Sequence, residues 1–289
     1  MATIAILMPG DMGSGVGQAL IAAGHSAISP LARRSAHTRG LAEGAGIEDA
    51  GSLDQAVSRA DLVLSILPPN HAVMQAQAVS EAMRRTGTAP AYADCNAISP
   101  MTMEKVAAAI APTGAAVIDC GIIGLNPIKA PPTRFYVSGP DLGAIEAIAS
   151  DVIRVERVGD QIGKASALKM VYAALTKGSW TMQVALLMAA SQHGVLDPLL
   201  EEFGYSQGAA LTAMQGRVPF LPADAERWVP EMQEIAATFA EVGVTPKFHE
   251  GAAEVFALLA RTPFASETRA TLDTSRTMEQ ALAEYVKHL

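Results

Sequence analysis

The sequence predicts an α/β protein: a doubly wound parallel sheet, followed by an all-α domain that one long helix joins to it. Three observations lead there. Short apolar runs alternate with helix-like segments through the first half, the pattern of βαβ units. From Gly159 to Gly194 the chain is free of proline and rich in Ala, Leu and Met. Beyond Gly194 the β-branched alternation that marks strands does not return, and the chain reads as further helices.

Strands are expected at Thr3–Met8, Ala27–Ala32, Asp61–Leu67, Ala91–Cys95, Ala116–Cys120 and Arg134–Ser138, with Val152–Gly159 closing this half. Helical patterns lie between them, for example Gly13–Ala23, Leu53–Ser58 and Pro100–Ala111. Ser99 supplies the last of these with an N-cap and Pro100 with a first-turn proline. The long helix that follows, about thirty residues, would run roughly 45 Å, with Met182 and Met188 read as core residues. Breaks are expected at DPLLEEFGY, VPFLPAD, GVTPKF and RTPF. The domain boundary falls near Ile162, giving domains of residues 1–161 and 162–289.

Composition narrows the function classes. Of 289 residues, 50% are hydrophobic and 17% charged, so the chain is globular. A formal net charge of −8 offers no electrostatic footprint for nucleic acid. The amino terminus lacks a basic region, and Lys164, Lys169 and Lys177 interrupt the long helix, so neither a signal peptide nor a membrane span is expected and the cytosol is the default location. Such an apolar helix is instead expected to be buried on several sides, by a partner subunit among other things. Cys95 and Cys120 have neither C-x-x-C nor paired histidine spacing, so no disulfide framework or metal site is suggested.

The stretch MPGDMGSGVG, Met8–Gly17, directly follows the first apolar run. A G-x-G-x-x-G turn between a strand and a helix presents backbone N–H groups and the positive helix end to a pyrophosphate. Gly10 and Gly13 take the last two glycine positions, which puts Met8 in the first. The phosphate-facing residues are then Gly10, Asp11, Met12 and Gly13. The alternative is that the glycines only permit a tight turn. Met8 sharpens the question: if the turn needs a positive φ there, Met8→Gly should raise cofactor affinity.

The end of the second strand selects the nucleotide. An unmodified ribose usually meets an Asp or Glu at this place, but the chain reads PLARRSAHTR. Two guanidinium groups, Arg33 and Arg34, with Ser35 and Thr38, suit a 2′-phosphate and favour NADP(H) over NAD(H). The other reading is a solvated basic loop.

At this point several segments, in order, resemble the β-hydroxyacid dehydrogenase and 6-phosphogluconate dehydrogenase superfamily. PGDMG is similar to its G-x-G-x-M-G turn, Arg33-Arg34-Ser35 to its NR-S/T segment, and ADLVLSILP (Ala60–Pro68) to its fourth-strand motif. DCNAISP (Asp94–Pro100) resembles D-x-S-T-x-S-P, and GKASALKM (Gly163–Met170) resembles the G-x-G-x-x-x-K segment. The wording of DCNAISP, DCGIIG, ALKMVYAALTKG and RWVPEMQEIAATFAEVG is nearer to a less characterised, phosphogluconate-dehydrogenase-like branch with a C-terminal domain of its own.

The resemblance implies an NADP-binding Rossmann domain, a helical substrate and dimerisation domain, and Lys169 as general acid/base beside the nicotinamide. A lysine in an apolar helix next to a cofactor cleft would be partly desolvated, which lowers its pKa; the alternative is a snorkelling surface lysine. By the same resemblance Leu67, Pro68 and Pro69 flank the cofactor. Asn96 replaces a family Ser near nicotinamide and substrate, or else caps the following helix. Ile122, Ile123 and Gly124 stand at the family's V-S-G substrate loop without its hydroxyl, so only backbone donors carry over.

Ala173 replaces a substrate-binding Asn four residues past Lys169, with Tyr172 as a substitute hydroxyl or a core residue. Thr176 replaces the acidic proton donor of 6-phosphogluconate dehydrogenase, so decarboxylation is not supported. Lys177 either binds an anionic part of the substrate or fixes the fold. Glu231 and Glu234 stand loosely where the family often has a carboxylate-binding lysine, which would admit a less acidic or cationic substrate; solvated helix charges are the other reading. His71, beyond the fourth strand, is a loop residue near the cleft.

Three functions follow as expectations: a dehydrogenase or reductase of a small β-hydroxy or β-keto compound, an imine reductase, or an NADP-binding sensor without turnover. A homodimer or higher homo-oligomer through the C-terminal helices is expected in each case.

Overall fold

A computed structural model describes residues 1–268 and 271–289. Its contacts divide the chain into two units, Met1–Met170 and Val171–Leu289.

The first unit carries eight strands: β1 Thr3–Ile6, β2 Ser26–Ser29, β3 Glu48–Asp49, β4 Leu62–Ser65, β5 Ala91–Asp94, β6 Val117–Ile123, β7 Thr133–Ser138 and β8 Ile153–Gly159. Between them run α1 (Asp11–Ala22), α2 (Ala36–Gly44), α3 (Leu53–Arg59), α4 (Ala72–Thr86), α5 (Pro100–Ile110) and α6 (Gly143–Glu146). The sheet order is β3-β2-β1-β4-β5-β6-β7-β8, so the order reverses between β1 and β4. In such a sheet ligands bind outside the carboxyl ends of the strands at that reversal.

Alternation along β1 builds the two faces. Ile4 and Ile6 pack with Val16 and Leu20 of α1, whereas Ala5 and Leu7 pack with Val57, Ala76, Val79 and Val106 of the helices on the other side. A strand covered on both faces must be apolar throughout, which is why the short runs were visible in the sequence.

The expected doubly wound parallel sheet is present, with one antiparallel pair. β7 runs antiparallel to β6, because the loop 124–132, not a crossover helix, joins them. Parallel pairing resumes between β7 and β8. The two-residue strand β3, which pairs with β2, is too short to show a period.

The division at Met170 also differs from the boundary expected at Ile162. Helix α7 spans Lys164–Gln192, but its opening turns belong to the first unit. There the buried Asp119 carboxylate of β6 accepts from the amides of Gly163 (2.8 Å), Ala165 (3.1 Å) and Ser166 (3.1 Å), and from the Ser166 hydroxyl (2.6 Å). Composition changes where the helix begins, whereas contacts change where Asp119 and β6 release it.

The second unit adds α8 (Leu196–Ser206), α9 (Gly208–Arg217), α10 (Pro222–Glu241), α11 (Lys247–Leu259) and α12 (Met278–Tyr285). Its core is aromatic at the centre, with Trp180 and Trp228 at 5.3 Å and Trp228 and Phe256 at 5.1 Å between ring centroids. DPLLEEFGY is not a break: it lies inside α8, since Pro198 occupies the first turn, where a missing N–H costs nothing. The other three expected breaks are real helix ends. On α7, Met188 is buried as expected but Met182 is 58% exposed. Among the described residues no helix is long and apolar enough to cross a membrane.

Candidate dinucleotide and acid–base site

The glycine turn is built by close approach rather than by unusual dihedrals. Among the described residues no non-glycine residue has a positive φ, so Met8 fits its place without strain and the first glycine is dispensable. Gly13 is not: a Cβ there would lie 2.5 Å from the Met8 carbonyl oxygen and 3.2 Å from Ile6 Cγ2. Gly17 likewise lets α1 settle on Ile6 and Ile47. At Gly10, φ is −74° and a Cβ would meet nothing within 4 Å. The protein itself therefore does not require glycine at position 10, and the bare backbone opens toward the carboxyl end of β1.

At the end of β2, Arg34 donates from Nη2 to the Leu7 carbonyl (2.9 Å), tying the arginine pair to the first strand. Ser35 caps α2, its hydroxyl accepting from the Thr38 amide (3.2 Å) and lying 3.0 Å from the Thr38 hydroxyl. Arg33 and Arg34 line a cavity of about 560 Å³ together with Pro30, Ser52, Gln75 and Arg85. Asp54, also in its wall, is held by Arg85 through two bonds of 2.7 and 2.9 Å.

Asn96 is 4% exposed and knits the ends of β4 and β5. Its Oδ1 accepts from the Leu67 amide (2.7 Å), and its Nδ2 donates to Ser65 Oγ (3.1 Å) and Asp94 Oδ2 (2.9 Å). Both amide hydrogens are thus used inside the chain, and the helix cap is Ser99 instead. Asn96 positions Leu67 and the Pro68–Pro69 turn; direct donation to a ligand would require it to let go. The partner Asp94 is fully buried, and burial pushes its carboxyl up to about 7 against the lowering effect of the Asn96 bonds. His71 closes the one-turn helix Pro69–His71 and is exposed.

The sequence did single out Lys169 but not what holds it. Half-buried on α7, it donates from Nζ to the Ile122 carbonyl at 2.6 Å. Gly121 makes this possible, since a Cβ there would stand 2.8 Å from the Ala165 carbonyl and 2.9 Å from Lys169 Cβ. Ile122 and Ile123, expected in a substrate loop, are instead the last two residues of β6, paired with Phe135 and Arg134 of β7, and the loop begins at Gly124, whose φ is +130°.

The remaining expected substrate residues belong to the second unit. Tyr172 is half exposed and Ala173 buried, and the Thr176 hydroxyl donates to the Ala173 carbonyl (3.2 Å). Lys177 and Glu231 meet each other at 2.8 Å, each side chain 10% exposed. The lysine, read either as an anion binder or as a fold element, and the glutamate, read as a substrate contact, are therefore partners. Glu234 is half-buried on α10. Among the described residues no group of three or more His, Cys, Asp or Glu side chains is placed to hold a metal ion.

A mostly parallel sheet with a glycine turn at the order reversal, a second-strand arginine pair and a lysine anchored beside β6 defines a dinucleotide-fold protein of the dehydrogenase type. Residues 3–148 match the family described as the NAD binding domain of 6-phosphogluconate dehydrogenase. The chain belongs to that family, and thus to the superfamily its motifs resemble. Residues 190–259 match a second family, a domain of unknown function, DUF1932.

A 3-hydroxyisobutyrate dehydrogenase of Pseudomonas aeruginosa is 31% identical over 149 residues, 51% of this chain and 49% of the relative. The chain spans about half to two thirds of the length of the curated relatives it matches. Among solved structures, a 3-hydroxyisobutyrate dehydrogenase of Mycobacterium tuberculosis aligns with a TM-score of 0.67 and 20% identity, covering 96% of this chain and 98% of that one. A reductive aminase of Aspergillus terreus, in complex with NADPH, aligns with a TM-score of 0.56 and 18% identity over 95% and 97%. At these identities the two structures establish the shared fold.

Proposed function

We propose that the protein is an NADP(H)-dependent dehydrogenase or reductase of a small β-hydroxy or β-keto compound, with Lys169 as general acid/base. The observation that carries this reading is the Lys169–Ile122 bond, which fixes a titratable side chain at the carboxyl end of β6. The residues present fit a nicotinamide dinucleotide on two counts. Gly10 leaves the first turn of α1 open to a diphosphate, and the arginine-lined cavity, whose carboxylate Asp54 is already neutralised by Arg85, suits a 2′-phosphate. When bound, such a cofactor supplies or accepts a hydride.

The chain's own residues then have distinct tasks. Backbone amides at Asp11, Met12 and Gly13 bind the diphosphate, and Arg33 and Arg34 bind the 2′-phosphate. The Leu67–Pro69 turn, fixed by Asn96, forms the wall toward the nicotinamide. An ammonium has three N–H donors; the one on Ile122 aims the side chain, and another gives its proton to, or as the free amine takes it from, the substrate oxygen. The exposed Val171, Leu175 and Met182 on one side of α7 support assembly as a homo-oligomer. The cytosol remains the proposed location.

Imine reduction is the second reading, favoured by the fold shared with the reductive aminase. Against it, Glu231, the residue proposed to meet a cation, is already paired with Lys177.

The test is Lys169→Ala. It should retain NADPH binding and thermal stability while turnover in a panel of β-hydroxy acids falls by about 10²–10⁴-fold. Persisting turnover on an identified substrate would reject the role of Lys169. Turnover of cyclic imines but not hydroxy acids by the wild-type protein would select the second reading, and NADPH binding without turnover on either panel would point to a sensor.

A further inference from the structure

We propose that the loop between β6 and β7 is a built part of the dinucleotide site, and that Lys129 on it is the counter-ion that lets Asp11 stand at the diphosphate-binding end of α1. The inference rests on the nicotinamide dinucleotide reading above.

The loop is seated on α1 by Asn126, a side chain 6% exposed. Its Nδ2 donates to the Asp11 carbonyl at 2.6 Å. Its Oδ1 accepts from the Ile128 amide at 2.9 Å, and its main-chain oxygen accepts from the amides of Lys129 (2.9 Å) and Ala130 (3.1 Å). The turn 126–130 is therefore folded around the same residue that touches the helix. Gly15 is the matching surface: a Cβ there would lie 2.1 Å from Asn126 Oδ1. Neither residue explains itself within its own segment; each is explained by the other.

This seat carries Lys129 to Asp11, Nζ to Oδ1 at 2.6 Å. Asp11 is the first residue of α1, and the preceding Gly10 has no side chain to cap the helix. The helix end attracts an anion, yet an aspartate already stands there and would repel a diphosphate. The Lys129 ammonium cancels that charge. With side chains 58% and 45% exposed, the pair adds little to stability, so its consequence falls on binding.

Calorimetric titration of the full chain with NADP⁺ and NAD⁺ tests the inference, because both ligands carry the diphosphate and only NADP⁺ carries the 2′-phosphate. Lys129→Ala should weaken both by the same factor, about tenfold, and Lys129→Arg should bind as the wild type does. Asp11→Asn should tighten both. Asp11→Asn combined with Lys129→Ala, neutral like the original pair, should return to within about threefold of the wild type. Arg33→Ala with Arg34→Ala should instead lower NADP⁺ affinity alone. The counter-ion role is overturned if Lys129→Ala binds both ligands unchanged, or if the Asp11→Asn, Lys129→Ala protein binds no better than Lys129→Ala. A wild-type protein that binds neither dinucleotide overturns the parent reading as well, whereas normal wild-type binding with a silent Lys129→Ala overturns this one only.

Discussion

The ammonium of Lys169 is held 2.6 Å from the carbonyl oxygen of Ile122, and this contact exists because the residue before Ile122 is glycine. A methyl group on Gly121 would press on the Ala165 carbonyl and Lys169 Cβ, and neither has a flexible end that can swing away. Gly121→Ala should therefore destabilise the protein by about 1–3 kcal/mol and lower turnover beyond what the lost stability explains. Denaturant midpoints and steady-state rates on the same preparations separate the two effects. An unchanged midpoint would mean that α7 can move off β6 at no cost.

Asp119 should be the costliest single loss on that strand. Its carboxylate serves three amides at the start of α7 and the hydroxyls of Ser138 and Ser166. Burial raises its pKa while those bonds lower it. Asp119→Ala leaves several buried donors without an acceptor, and about 3 kcal/mol of stability should go with it. Urea unfolding measures this, with the slope expected to hold and the midpoint to fall.

Asp94 makes stability depend on pH in an unusual sense. Its folded pKa, about 7, lies above the ordinary carboxylate value, so the folded state holds a proton that the unfolded chain releases near pH 4. Stability from this group is complete below about pH 4 and is lost as pH rises toward 7, a change of up to about 4 kcal/mol. Asp94→Asn removes the titration. The stability difference between the variant and the wild type should therefore shift in favour of the variant as pH rises from 4 to 7. A flat difference across that window would mean that Asp94 stays ionised when folded.

The nucleotide turn answers the conditional question that Met8 raised in the sequence. Met8 has no positive φ, so Met8→Gly should leave dinucleotide affinity within about twofold and cost a few tenths to 1 kcal/mol of stability through added backbone freedom. Gly13→Ala, which pushes on the Met8 carbonyl, should abolish binding. Calorimetric titration of the two variants decides between a turn that needs conformational freedom and one that needs space.

What the sequence disclosed and what it hid divide along a physical line. The strands, the glycine turn, Arg33-Arg34 and Lys169 were legible because each is written in a local pattern: an apolar run, a spacing, a segment. The antiparallel direction of β7 was not, since the connection, here the loop 124–132, sets the direction and the strand's own residues do not. DPLLEEFGY misleads because its proline, Pro198, sits in the first turn of α8, where it does not break a helix. Asn126 and Lys129 were invisible for a different reason. Their partner Asp11 lies 115 and 118 positions away, and no local period records such a meeting. Gly15, which does carry the mark of that contact, was hidden among glycines already assigned to the turn.

The pairing of Lys177 with Glu231 belongs to the same hidden class, and it changes what mutation should do. Were Lys177 reserved for an anionic substrate, replacing it would damage KM and leave the fold alone. The structure instead sets it 2.8 Å from Glu231, each side chain 10% exposed, with the ammonium 5.9 Å from the centre of the Trp228 ring. Removing one partner strands the other charge, so Lys177→Met and Glu231→Gln should each cost about 3 kcal/mol. Lys177→Met together with Glu231→Leu should recover most of that loss, because two apolar side chains of similar size need no solvation. Thermal unfolding of the three variants measures the coupling. Single variants as stable as the wild type would return Lys177 to the list of candidate anion binders.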